Sequence, residues 1–195
     1  LYQSGGLLFF LFIFFFSIIL SELVNLFSFS HFKINIIIYS FVTTFCIVLF
    51  PFYYFTLDNN FIICSYVLIS VWIFDTFSFL GGNLFQGKKI FPKLSKGKTY
   101  SGSASGLISV ILFNLLISYY YYDMSITNLI FIAIIISILS FIGDACVSLL
   151  KRQSDLKDTG SLFIGHGGFL DRMDSFILVF FFFIIFDIHK FIYYA

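Results

Sequence analysis

The sequence predicts an all-α, polytopic membrane protein of about six transmembrane helices, and three observations carry that prediction. Of the 195 residues, 60% are hydrophobic and only 11% charged, whereas a soluble domain carries about 25% charged residues because water must wet its outside. Several uncharged runs reach the length of about 20 residues that a membrane helix needs. Threading the chain through those runs also collects the basic residues on one side, as cytosolic loops require.

The first span needs Gly5 to about Phe27 to cross, which puts Glu22 near one end. Lys33 and Asp58 enclose 24 uncharged residues. Pro51 lies among them, lacks an N–H and is expected to kink the second helix. The third span, Phe61–Leu80, holds Asp75. Lys98 and Asp123 enclose another 24 uncharged residues, and Asp123 and Asp144 another 20. The last span, Ser175–Phe186, has 12 uncharged residues before Asp187, so it is expected to continue through His189 towards Ala195, with Lys190 snorkelling to the far interface. These spans make a single membrane-embedded domain over 1–195, with N-terminal helices in 1–80 and the chemistry-bearing helices and cytosolic loops in 81–195.

The first apolar run, Leu7–Leu20, has no basic segment before it and no small-residue cleavage site after it, so it does not read as a signal peptide. The chain starts at Leu1 rather than at a methionine, and an additional N-terminal piece is expected. The 32 Phe read as lipid-facing filler. Cys46, Cys64 and Cys146 each sit in an apolar stretch without a CxxC partner and read as packed, reduced thiols.

Nine of the eleven Lys and Arg fall in two windows: Lys88, Lys89, Lys93, Lys96 and Lys98 after the third span, and Lys151, Arg152, Lys157 and Arg172 after the fifth. Two spans separate the windows, so both face one side, and Lys33 joins them. Tyr119–Tyr122 then fall at the opposite interface, where an aromatic belt is expected.

The windows do more than orient the chain. Asp144, Asp155, Asp158, Asp171 and Asp174 are half of the ten acidic residues and share the second window with its cations. Asp144, Ser148, Lys151 and Asp155 recur at helical spacing and are expected on one stripe. Asp171 and Asp174 share a face at the start of the last helix, where Asp174 alone would also serve as a cap. Asp75 and Asp144 stand where apolar spans end, and carboxylates at membrane depth are costly enough to mark function.

Carboxylates, cations and glycines together suit phosphate chemistry. Mg²⁺ takes one or two carboxylates plus substrate phosphates, and Lys and Arg neutralise the remaining charge. Gly165, Gly167 and Gly168 let backbone N–H groups approach an anion before a helix start. His166 between them suits a phosphate donor, a proton carrier or a brace for the loop. Gly97-Lys98-Thr99 is not a P-loop, because Pro92 stands where the opening glycine belongs and no strand precedes it. His31, His166 and His189 are too scattered for a zinc site.

The run from Ser148 through Lys151-Arg152, Lys157-Asp158 and His166-Gly167-Gly168 to Asp171-Arg172-Met173-Asp174 resembles the signature of phosphatidate cytidylyltransferases, also called CDP-diacylglycerol synthases. Asp75–Gly82 looks like that family's aspartate-to-glycine stretch, Ser95-Lys-Gly-Lys-Thr99 like its Ser-Pro-x-Lys-Thr segment, and Glu22 like the glutamate ending an early helix. Lys96 and Ile164 depart from prolines or small residues usual there, and Val147 from a frequent glutamate. The resemblance implies transfer of a cytidylyl group from CTP to phosphatidate, giving CDP-diacylglycerol and pyrophosphate, and about one further upstream helix.

On that resemblance Asp144, Lys151 and Asp171 are the expected catalytic residues, and Asp144, Asp171 and Asp174 the expected ligands of Mg²⁺, with a second cation as an option. Asp75, Ser95, Lys98, Thr99, Ser148, Arg152, Lys157, Asp158, His166, Gly167, Gly168 and Arg172 are expected to bind substrate. The expected partners are CTP, phosphatidate and membrane lipid, with no nucleic acid and a homodimer as one option for assembly. The expected location is the bacterial inner (plasma) membrane with the site facing the cytosol. A CTP-dependent polyprenol or dolichol kinase would share nucleotide and membrane but move the γ-phosphoryl. A transporter would place charges near mid-membrane and show internal repeats, which this sequence does not.

Overall fold

A computed structural model describes the backbone of residues 2–30, 33–56, 60–92, 95, 97–121, 126–160 and 167–186, and the side chains within that set at 14–30, 33–46, 65–92, 95, 97–119, 126–160 and 167–186. The described chain is helical: α1 (Tyr2–Phe29), α2 (Lys33–Thr56), α3 (Asn60–Phe85), α4 (Tyr100–Tyr121), α5 (Ile126–Gln153) and α6 (Leu170–Ile185). Among the described residues, three stretches are long and apolar enough to cross a membrane: Ser65–Phe85, Tyr100–Tyr119 and Ile126–Gln153. Phe14–Phe29 and Lys33–Cys46 form shorter apolar helices within the described side chains. Helix α2 runs on through Pro51. Lys190, the tyrosines beyond Tyr121 and the histidines 31, 166 and 189 lie outside the described residues, as do Lys93, Lys96 and Ile164; so do the side chains of Cys64 and of Tyr120 and Tyr121.

Charged boundaries fix most helix ends, but α5 overruns its apolar span. It continues ten residues past Gly143 to Gln153, because beyond the bilayer its polar residues still complete backbone bonds. Asp144, Ser148 and Lys151 therefore share the helix as expected, whereas Asp155 does not. It lies past the helix end with φ +55, a left-handed turn that breaks the stripe.

Helix α6 packs against α2, α3 and α5. Its Phe176, Phe180 and Phe183 join Leu23 and Leu26 of α1, Ile36 of α2, Val67 and Val71 of α3 and Ile136 of α5 in one buried cluster. Val147 is 0% exposed in that cluster, so the aliphatic residue there has a packing reason. Outward, Phe14, Ile38, Phe41, Phe79, Leu84 and Ile138 are exposed, the surface a lipid solvent calls for.

Close helix approach depends on missing side chains. Helix α3 packs most extensively on α4, where a Cβ on Gly102 would stand 2.5 Å from the Ser78 carbonyl oxygen. A Cβ on Gly143 of α5 would stand 2.6 Å from the Asp174 carbonyl oxygen of α6. Between α3 and α4 the chain folds back on itself: Ile90 N donates to Lys98 O at 2.9 Å and Tyr100 N to Lys88 O at 3.0 Å. That return sets Lys98 and Thr99 at the start of α4.

Gly143→Ala is expected to destabilise the protein by about 2 kcal/mol, because backbone rather than a movable side chain opposes the new methyl group. Gly97→Ala, where a Cβ would meet nothing within 4 Å, is expected to leave stability unchanged. Thermal unfolding in detergent checks both, and equal melting temperatures for the two variants would contradict this account of α5–α6 packing.

Candidate active site

Three helices and one loop deliver polar side chains to a single cavity of about 650 Å³, within the roughly 300–1,000 Å³ of small-molecule sites. Asp75 comes from α3, Asp144 from α5, and Asp171, Arg172 and Asp174 from the first turns of α6. Ser95, Lys98 and Thr99 close the opposite wall. Residues up to 99 positions apart in sequence thus meet because Gly143 lets α6 lie against α5, and the folded-back loop turns Lys98 inward.

Lys98 Nζ stands 3.0 Å from Asp144 Oδ2. It also donates to the Phe141 carbonyl at 3.1 Å and lies 4.5 Å from the centroid of the Phe141 ring. The lysine side chain is 11% exposed and that of Asp144 is 40% exposed, so the cation is fixed in the wall while the carboxylate looks into the cavity. Ser148 donates to Asp144 Oδ1 at 3.3 Å. Asp75, Asp144 and Asp174 lie near enough to repel one another. Ser175, directly after Asp174 and almost fully buried, holds the floor: its hydroxyl donates to the Ser140 carbonyl at 3.1 Å and lies 3.4 Å from Asp75 Oδ1, and its N–H donates to Asp174 Oδ1 at 2.8 Å.

Asp171 is differently placed. Oδ1 receives Lys151 Nζ at 2.7 Å, and Oδ2 accepts the N–H groups of Thr159 and Gly168, both at 3.0 Å. Burial alone raises the Asp171 carboxyl, but Lys151 and those two N–H groups outweigh it and hold it below its ordinary value. It is therefore an ionised, fully engaged carboxylate.

The glycine-rich segment also departs from an open anion cradle. Gly167 has φ +84, a conformation that glycine adopts without a Cβ penalty. The N–H groups that follow it are already taken, that of Gly168 by Asp171 and those of Phe169 and Leu170 by Glu22. Arg152, Lys157 and Asp158 are exposed outside the cavity wall, and His166 lies outside the described residues. Glu22 and Ser175 are the residues whose place in the site sequence reasoning missed. A glutamate inside an apolar span was the available signal for the first; Ser175, an ordinary polar residue beside Asp174, offered none.

The sequence model of the cytidylyltransferase family matches residues 2–189. The chain is 39% identical over 128 residues to a phosphatidate cytidylyltransferase of Rickettsia conorii, covering 62% of this chain and 55% of that protein. It is 34% identical over 131 residues to one of Staphylococcus haemolyticus, covering 67% and 50%, and 36% identical over 115 residues to one of Haemophilus influenzae, covering 56% and 40%. The chain thus spans about half the length of these curated relatives. A match over nearly the whole chain, with Asp171, Arg172 and Asp174 of the signature lining one cavity, leads to one conclusion: this chain belongs to the cytidylyltransferase family.

Proposed function

We propose that the chain transfers the cytidylyl group of CTP to phosphatidate, at the cytosolic face of a bacterial plasma membrane. The observation that carries this reading is the convergence of Asp75, Asp144, Asp174, Arg172 and Lys98 on one cavity where apolar helices end. A lipid phosphate can reach such a site while its tails stay in hydrocarbon, and a nucleotide can reach it from water. The relatives' shared name supplies the reaction. A phosphatidate oxygen bonds to the α-phosphorus of CTP, the bond from that phosphorus to the bridging oxygen breaks, and pyrophosphate leaves with that oxygen. The work of the protein is to position two anions and offset their charge.

The donors fit a hard cation. Every candidate ligand is a carboxylate oxygen, and the mutual repulsion of Asp75, Asp144 and Asp174 is relieved by positive charge. Among the described residues no group of three or more His, Cys, Asp or Glu is placed to hold a metal alone, which suits an ion completed by substrate phosphates. Asp144 and Asp174 are the ligands assigned here, and Mg²⁺ bound there would neutralise phosphate charge. Asp171, expected as a third ligand, is assigned instead to holding Lys151: its side chain is 11% exposed, with Lys151 on one oxygen and two backbone N–H groups on the other, whereas that of Asp144 is 40% exposed. Lys98 and Arg172 face the phosphates.

Purified full-length chain in detergent, given phosphatidate, Mg²⁺ and CTP labelled at the α-phosphate, is expected to place the label in lipid. A γ-phosphate label is expected in pyrophosphate. Label from the γ-phosphate in lipid would instead identify a kinase. Excess EDTA is expected to abolish turnover and Mg²⁺ to restore it; full turnover in chelator would remove the cation from the account.

Asp144→Asn and Asp174→Asn are each expected to lower turnover on the order of a thousandfold, since each removes charge that offsets the transition state. The double variant is expected to be scarcely worse, because ligands of one ion act as a unit. Mild losses that add would show two independent roles.

For orientation, cysteines placed at the exposed Lys89 and Lys157 are expected to react with a membrane-impermeant thiol reagent only after the membrane is opened. Labelling in intact cells would reverse the topology.

A further inference from the structure

Glu22 of α1 is 4% exposed, and its carboxylate is clasped by the segment that leads into α6. Oε1 accepts the Phe169 N–H at 2.8 Å, and Oε2 accepts the Leu170 N–H at 2.9 Å and the Thr159 hydroxyl at 2.8 Å. Two glycines make room for it: a Cβ on Gly160 would stand 2.6 Å from Oε1, and one on Gly168 2.5 Å from Oε2. Phe169, the N-cap residue of α6, makes no side-chain cap bond, so a carboxylate from another helix satisfies two of the N–H groups that a helix start leaves open. One turn along α1 the grip repeats, where the Ser154 hydroxyl lies 3.1 Å from the Leu26 carbonyl oxygen.

The Thr159 hydroxyl also lies 3.1 Å from Asp171 Oδ2, to which the Thr159 N–H donates. Glu22, Thr159 and Asp171 therefore form one chain of contacts that ends, through Asp171, on Lys151. Gly168 closes a loop in that chain: its N–H donates to Asp171, and its α-carbon lies against Glu22. Glu22 thus meets Thr159 and Gly168, the two residues whose N–H groups hold Asp171.

We infer that Glu22 is a positioning residue of the active site, which acts through Thr159 and the start of α6 to hold Asp171 and Lys151 in register with the cavity. It touches no cavity wall itself, and the inference rests on the reaction proposed above.

The test compares wild-type chain with Glu22→Gln, Thr159→Val and Thr159→Ser, by turnover with CTP and phosphatidate and by hydrogen exchange at the amides of Thr159, Gly168, Phe169 and Leu170. Glu22→Gln keeps the shape but turns one acceptor into a donor facing donors. It is expected to speed exchange about tenfold at all four amides, including the Thr159 and Gly168 amides that bond only to Asp171, and to lower kcat at least tenfold. Thr159→Val is expected to lower kcat similarly, and Thr159→Ser, which restores the hydroxyl, to recover most of it. Faster exchange confined to Phe169 and Leu170, with kcat unchanged, would show a plain helix cap and overturn the inference. Failure of the wild-type chain to form CDP-diacylglycerol would count against the proposed reaction, and the exchange pattern would still decide whether Glu22 controls the surroundings of Asp171.

Discussion

Carboxylates cannot stand unpaired at membrane depth without a large desolvation cost, and the arrangement around the cavity follows from how each one meets that cost. Asp171 is stabilised internally, by Lys151 and two backbone N–H groups. Glu22 is stabilised by a helix start and a hydroxyl. Asp144 has Lys98 on one oxygen and remains 40% exposed to the cavity, and Asp75 and Asp174 stand close enough that the three carboxylates disfavour one another's charged forms. The first two carboxylates build the site. The other three crowd carboxyl groups into one cavity, where a cation with two phosphate-bearing substrates would favour their ionised forms.

Helix packing serves the same end. Gly143 brings the backbone of α5 against that of α6, which sets Asp144 and Asp174 on facing surfaces. On the other wall, the backbone bonds of Ile90 and Tyr100 return the chain so that Lys98 reaches Asp144. A pair such as Lys98–Asp144, in which the lysine is buried and the carboxylate is not, contributes little net stability, because desolvation of the cation offsets the attraction, but loss of Asp144 leaves the lysine charge uncompensated. Its value lies in placement: it ties the loop after α3 to α5 at the cavity.

Much of this was legible in the sequence because hydrocarbon imposes simple rules. The bounds of α2 and α4 follow the charges at Lys33 and Lys98 closely, since a charge marks where a span ends. Past that boundary helical spacing takes over: it places Asp144, Ser148 and Lys151 on α5 correctly but carries the stripe on to Asp155, which lies in a left-handed turn beyond Gln153. Asp75 and Asp144 were legible as costly charges at span ends and Asp174 as a carboxylate at a helix start, and the structure brings the three to one cavity. The engagement of Asp171 was not, because its partners Thr159 and Gly168 belong to a segment without periodicity. Glu22 stood out as a charge in an apolar run, but nothing local tells a glutamate in α1 that its partners are the first N–H groups of α6.

The decisive observable is where the cation and the nucleotide phosphates sit. Anomalous scattering from Mn²⁺, in crystals of the chain grown with CTP, locates the ion directly. A peak is expected between Asp144 and Asp174, in contact with CTP phosphate oxygens, and none at Asp171. A peak held by Asp155 and Asp158 outside the cavity, or one unchanged in crystals of Asp144→Asn, would contradict that placement.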